Sequence, residues 1–171
     1  MRVIETKVYK FDELSDEAKE KAIEKLSDIN VDYEWWNGVY MDAENIGLKI
    51  DEFDIDRGSY AHGNFTLSAN EVAQNILNDH GENCETYKTA ENFMKEWQPI
   101  FDSYMDSLSP DYESQESEDK LNDLESEFLK SLLEDYRIML SHEYDYLTSA
   151  EAIRETIEAN EYEFTEDGKL A

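Results

Sequence analysis

Five carboxylates, Glu116, Asp119, Asp123, Glu127 and Glu134, recur at spacings of three, four and seven residues. Those spacings place side chains on one face of an α-helix. At 100° per residue, with Leu121 at zero, Leu124, Phe128, Leu132, Tyr136 and Met139 fall within roughly 60° of it, and the five acids gather on the opposite side. The helix is therefore expected to be apolar on one face and to carry a row of negative charge on the other. Neighbouring carboxylates in the row would lie about 5–10 Å apart along the axis. That is the order of the phosphate spacing in a nucleic-acid strand, about 3.4 Å of axis per charge. The chemistry on offer is multivalent attraction for Lys and Arg. The plain alternative is a solvated helix face, for which charge alone is ordinary.

Other chemistries fit less well. Asp51, Asp54, Asp56 and Gly58 echo a calcium loop, but a loop starting at Asp54 would need an oxygen ligand at Gly58, glycine at Ser59 and glutamate at Phe65. His80 and Cys84 stand four apart with no second pair at zinc spacing, so they read as a surface histidine and a buried cysteine. The chain contains no G-x-S-x-G, no Gly-rich phosphate loop and no H-E-x-x-H. His62, His80 and His142 have no motif around them, and paired carboxylates are too abundant to single out an acid and a base. No catalytic residue, cofactor or metal is expected, and the chain reads as a non-enzyme.

Charge sets the class of partner. Fifteen Lys and Arg against 43 Asp and Glu give 15 − 43 = −28. Residues 61–171 hold 27 of the acids and seven of the bases, a net of −20. A chain so charged is repelled by nucleic acid and anionic membranes and is drawn to basic proteins, more weakly as salt rises. Seven Phe, eleven Tyr and three Trp supply core material and argue against disorder. Eleven Lys against four Arg do not favour a salt-adapted proteome as the source of the charge. Cys84 is the only cysteine, the first residues hold no apolar run resembling a signal peptide, and no run approaches a membrane span. A cytoplasmic setting is expected, with no membrane partner.

The elements that must position the row follow from periodicity and caps. Residues 2–11 read as a strand, and Ser15 caps a helix to about Asp28 with a Glu17–Lys21 pair. A second helix is expected over 32–46, with Tyr33, Trp36, Tyr40 and Ala43 on one face and Gly47 as its stop. On such a helix the indoles of Trp35 and Trp36 would point about 100° apart, so the helix is expected to lie between two surfaces. Residues 48–56 and 64–67 form a hairpin around a loop at 57–63. Ser68 to Glu71 makes a capping box for a helix to Asp79. A helical pattern from Phe93 to Leu108 is expected to kink or restart at Pro99. Ser109–Pro110 opens the long helix to about 146, Thr148 to Glu151 makes a second capping box, and 161–165 closes as a strand before an Asp167–Gly168 turn. The fold class is α+β: one domain over 1–171, a small mainly antiparallel sheet from 2–11, 47–56, 63–68 and 161–166 packed against several helices, and one long acidic amphipathic helix.

The segments VYKFDELSDEAKEKAIEK, DYEWWNGVYMDAENIGLKI, EFDIDRGSYAHGNFTLSA and ANEYEFTEDGKLA resemble a family of acidic phage and prophage proteins whose members are often labelled antitoxin-like. The resemblance covers nearly the whole chain and brings no catalytic motif, so it transfers no site residues. It implies a mobile-element setting in a bacterial cell, in conflict between host and phage. Two functions are thereby expected. One is an inhibitor that mimics nucleic acid and blocks a basic host defence protein, of anti-CRISPR or anti-restriction type. The other is an antitoxin that neutralises a toxin by stoichiometric binding. Antitoxins often add a basic DNA-binding module, and no basic stretch occurs here, which favours the mimic.

Overall fold

The computed structural model describes residues 7–107 and 115–171. The architecture is α+β, with two short antiparallel strand pairs and six α-helices among the described residues. The described chain divides into two compact units. One joins the two ends of the chain, up to Trp35 and from His142, and the other is the continuous stretch Trp36–Ser141.

The unit built from the ends contains β1 (Tyr9–Lys10), a 3-10 turn (Phe11–Glu13), α1 (Asp16–Lys25), α6 (Ala150–Ala159) and β4 (Glu163–Phe164). Tyr9 pairs with Phe164 and Lys10 with Glu163. Ser15 Oγ accepts from Ala18 N at 3.3 Å, and Lys21 meets Glu17 at 2.8 Å, the cap and ion pair that start and brace α1. Ala18 and Ala22 are buried with Leu14, Ile153 and Ile157, while Phe11 and Phe164 meet edge to face at 6.1 Å. Asn30 is buried with both ends of its amide satisfied: Nδ2 donates to the Leu147 carbonyl at 3.0 Å, and Oδ1 accepts from Thr156 Oγ1 at 2.7 Å. Gly168 turns the chain at φ +76°, where a Cβ would stand 2.2 Å from the Ala18 carbonyl oxygen, so both the conformation and the space require glycine.

The continuous unit contains α2 (Asn37–Ile46), β2 (Leu48–Asp54), β3 (Tyr60–Phe65), α3 (Ala69–Asp79), α4 (Glu85–Ser107) and α5 (Gln115–Leu147) as far as Ser141. Gly47, at φ +93°, ends α2 in the left-handed conformation and sends the chain into β2. The hairpin runs in register from Leu48–Phe65 to Asp54–Tyr60, with a bulge between Ile50 and Glu52. Ser68 N donates to Glu71 Oε2 at 3.1 Å and the Ser68 hydroxyl reaches the same carboxylate, completing the box that opens α3. Ile46, Leu48, Val72, Ile76, Leu132 and Tyr136 are fully enclosed at the centre of the core.

Several expectations are corrected. The four strands form two separate pairs, not one sheet, because each pair belongs to its own unit. The helix expected over 32–46 begins at Asn37: Trp35 N turns back onto the Tyr33 carbonyl at 2.7 Å, and Tyr33 is 62% exposed. Trp35 packs on Tyr144 at 5.5 Å and Trp36 on Phe53 at 5.8 Å, so the two indoles precede the helix and divide between the units. Strand β3 starts at Tyr60, inside the expected loop. Helix α4 continues through Pro99 without a restart. Ser149 caps α6, accepting from Ala152 N at 3.2 Å, which puts alanine at the position a box starting at Thr148 would give to Glu151. The Ser109–Pro110 start lies outside the described residues.

Candidate acidic interface

Helix α5 positions the row, and a buried stripe holds α5. Leu121, Phe128, Leu132 and Tyr136 are buried, and Leu124 is half-buried. The expectation for Met139 fails, since it is 36% exposed while Leu133 and Leu140 are buried. Leu133 and Leu140 lie about 100–120° round the axis from Leu121. The apolar face therefore turns along the helix, as a 3.6-residue repeat drifts against a fixed neighbour.

Glu116, Asp119, Asp123, Glu127 and Glu134 are all exposed, as an interface requires. They span about 27 Å at 1.5 Å per residue. They are not equivalent. Glu116 meets Lys120 at 2.7 Å, and that hydrogen bond holds its carboxyl below the ordinary range. Glu127 lies 3.9 Å from Lys130 with both side chains well exposed, a pair of little strength. Glu134 grips Arg137 through both oxygens, at 2.6 and 2.7 Å, and this fork lowers its pKa. Arg137 in turn donates to Ser59 Oγ at 2.8 Å, in the turn before β3. Glu134 thus also fixes an arginine that braces the hairpin. Helix α5 carries ten acids and three bases, a net of −7, so pairing within the helix leaves it strongly negative.

Helix α4 lies alongside, antiparallel to α5, and side-chain contacts along its length join the two. Thr89 Oγ1 donates to Asp135 Oδ2 at 2.7 Å, Phe93 stacks on Phe128 at 4.2 Å, and Trp97 Nε1 donates to Glu125 Oε1 at 3.4 Å. Burial pushes the Asp135 carboxyl above its ordinary range; the Thr89 hydrogen bond opposes this, and Glu85 and Glu134 add to it. A carboxyl whose pKa is raised in the fold stabilises fully below its unfolded pKa and loses that contribution as pH rises through the folded value. Asp135→Asn keeps the acceptor for Thr89 and removes the charge. It is expected to melt about 1–3 °C above the parent at pH 7. The gap should close as pH falls through the carboxylate range. Thermal melts from pH 4 to 7 decide it, and a gap that ignores pH would place the effect elsewhere.

Sequence reasoning missed a polar chain at the edge of the core. Tyr136 Oη donates to Asp42 Oδ2 at 2.8 Å, His80 Nε2 stands 3.7 Å from the same oxygen, and His80 Nδ1 meets Thr86 Oγ1 at 2.8 Å. The reading of His80 and Cys84 is reversed, for the histidine side chain is only 11% exposed and the cysteine is exposed. An Asp–His–Thr series suggests nucleophilic catalysis, but Thr86 is 3% exposed and closed to a substrate. The series ties α2, the end of α3, the start of α4 and α5 together. The only sequence signal for it was a histidine closing α3, six residues before a threonine. Asp54 Oδ1 accepts from the amides of Asp56 and Arg57, at 2.7 and 3.2 Å, which makes the calcium-like stretch a turn. No group of three or more potential metal ligands is assembled among the described residues. No helix among them is long and apolar enough to cross a membrane.

Comparison with protein-family models, with characterised proteins and with solved structures finds no match to the chain.

Proposed function

We propose that the protein is a non-catalytic inhibitor of phage or prophage type that presents the acidic face of α5 to a basic, nucleic-acid-handling host defence protein in the bacterial cytoplasm. The observation that carries the reading is the exposure of all five row carboxylates on one rigid helix, in a chain of net charge −28. A helix fixes the spacing of its charges in advance, so binding costs little ordering. The multiple weak pairs mainly speed and orient encounter. The protein itself is repelled by nucleic acid, because no basic stretch offsets its charge.

The test is capture of partners by the full chain in host cells, followed by challenge of each complex with excess duplex DNA. The expected partner is a nucleic-acid-binding protein that DNA displaces. A toxin that DNA leaves in place would establish the antitoxin reading instead, and a chain that captures nothing would end both.

A further inference from the structure

Beside the contacts that join α4 to α5 runs an open groove of about 320 Å³. At its base lie the half-buried Leu124 and the edges of the stacked, largely buried pair Phe93 and Phe128, and Glu96 on α4 and Glu127 on α5 both line it. The antiparallel contacts that match Phe93 to Phe128 and Trp97 to Glu125 bring Glu96 opposite Glu127. Both side chains are exposed. Glu96 has no salt bridge among the described residues, and Glu127 has only the 3.9 Å approach of Lys130. We infer that this groove seats an arginine side chain of the basic partner, its stem over Leu124 and the ring edges and its guanidinium between Glu96 and Glu127.

The inference rests on the reading of α5 as a basic-partner surface and gives that surface a specific anchor. An apolar floor between two carboxylates complements a side chain with an apolar stem and a cationic head. Arginine fits better than lysine. Its planar fork offers five donors in fixed directions, so it serves carboxylates on two walls at once, and it is more weakly hydrated than an ammonium. Buried arginine anchors are also the residues that dominate protein interfaces energetically, which exposed pairs along a helix do not.

The full chain is titrated with the peptide acetyl-Gly-Arg-Gly-amide and followed by backbone amide NMR. Saturable shifts are expected at Asn92, Glu96, Glu127 and Ser131. The isosteric but neutral citrulline peptide is expected to bind at least about tenfold more weakly, as is the arginine peptide with Glu96→Gln/Glu127→Gln. Glu20→Gln/Glu24→Gln, which removes the same charge from exposed positions on α1, away from the row and the groove, is expected to stay within about twofold. Shifts spread evenly along α5, or equal losses in the two double variants, would overturn the seat. So would partner capture that persists undiminished in Glu96→Gln/Glu127→Gln, and in that case the acidic face stands without its anchor. Groove binding as expected, with no nucleic-acid-handling partner captured, would support the seat and remove the proposed function.

Discussion

The variant Asp119→Lys, Asp123→Lys, Glu127→Lys is expected to slow association with the basic partner about ten- to a hundredfold at low salt, with a flatter salt dependence. Each replacement changes the charge by two, so the chain moves from −28 to −28 + 6 = −22. The modest change in total charge matters less than where it falls, since all three positions lie along one exposed helix face. A single replacement there should do little, because an exposed pair contributes about 0–1 kcal/mol. The fold should hold, for none of the three positions belongs to the core and like-charge repulsion along α5 is relieved. Association rates at two salt concentrations, with thermal melts in parallel, check both halves. Unchanged rates with an unchanged melt would reduce the row to a solvated face. Because Glu127 belongs to both the row and the groove, association of Asp119→Asn/Asp123→Asn beside that of Glu96→Gln/Glu127→Gln divides the loss.

Tyr136→Ala is expected to lower stability by about 3–5 kcal/mol, the range for removing a large aromatic side chain from a packed core. Tyr136 is fully enclosed, and its hydroxyl, donating to Asp42, is held in its protonated form by burial and by that carboxylate. Removing the ring opens a cavity among Leu132, Ile76 and their neighbours in the same core. Tyr136→Phe keeps the ring and loses only the bond to Asp42. Asp42 is 43% exposed and can turn to water, so the cost should be about 1 kcal/mol. Denaturant titrations of the two variants measure the difference. Near-equal losses would mean that the hydroxyl, not the ring, is what the core depends on.

What the sequence revealed depended on whether a residue's role was local. Gly47 ends a helix through its own backbone angle, and Ser68 with Glu71 closes a box within one turn, so both were legible. The period of α5 was likewise legible up to Tyr136. It failed at Met139 because the buried face is decided by what packs on the helix, not by the helix. The aromatic spacing of Tyr33, Trp36 and Tyr40 imitated a helix face, although Trp36 and Tyr40 owe their places to Phe53 on the hairpin, at 5.8 and 6.0 Å. The acidic row needed only periodicity. The groove needed the pairing of Phe93 with Phe128, 35 residues apart, and the polar chain needed Asp42 beside Tyr136, 94 residues apart. No local pattern encodes either.

The division of the chain also predicts an order of folding. Unit Trp36–Ser141 is one unbroken stretch of 106 residues, counted as 141 − 36 + 1, and can collapse using its own neighbours. The other unit must bring Tyr9 to Phe164, and that encounter costs loop-closure entropy before any contact rewards it. Folding of the middle removes most of that cost by replacing a long coil with one ordered body. The segments flanking it are then expected to zip last, with Phe11, Leu14, Ile153 and Ile157 open to water until they do. A net charge of −28 makes copies of the chain repel one another while that apolar surface is open, which opposes their association.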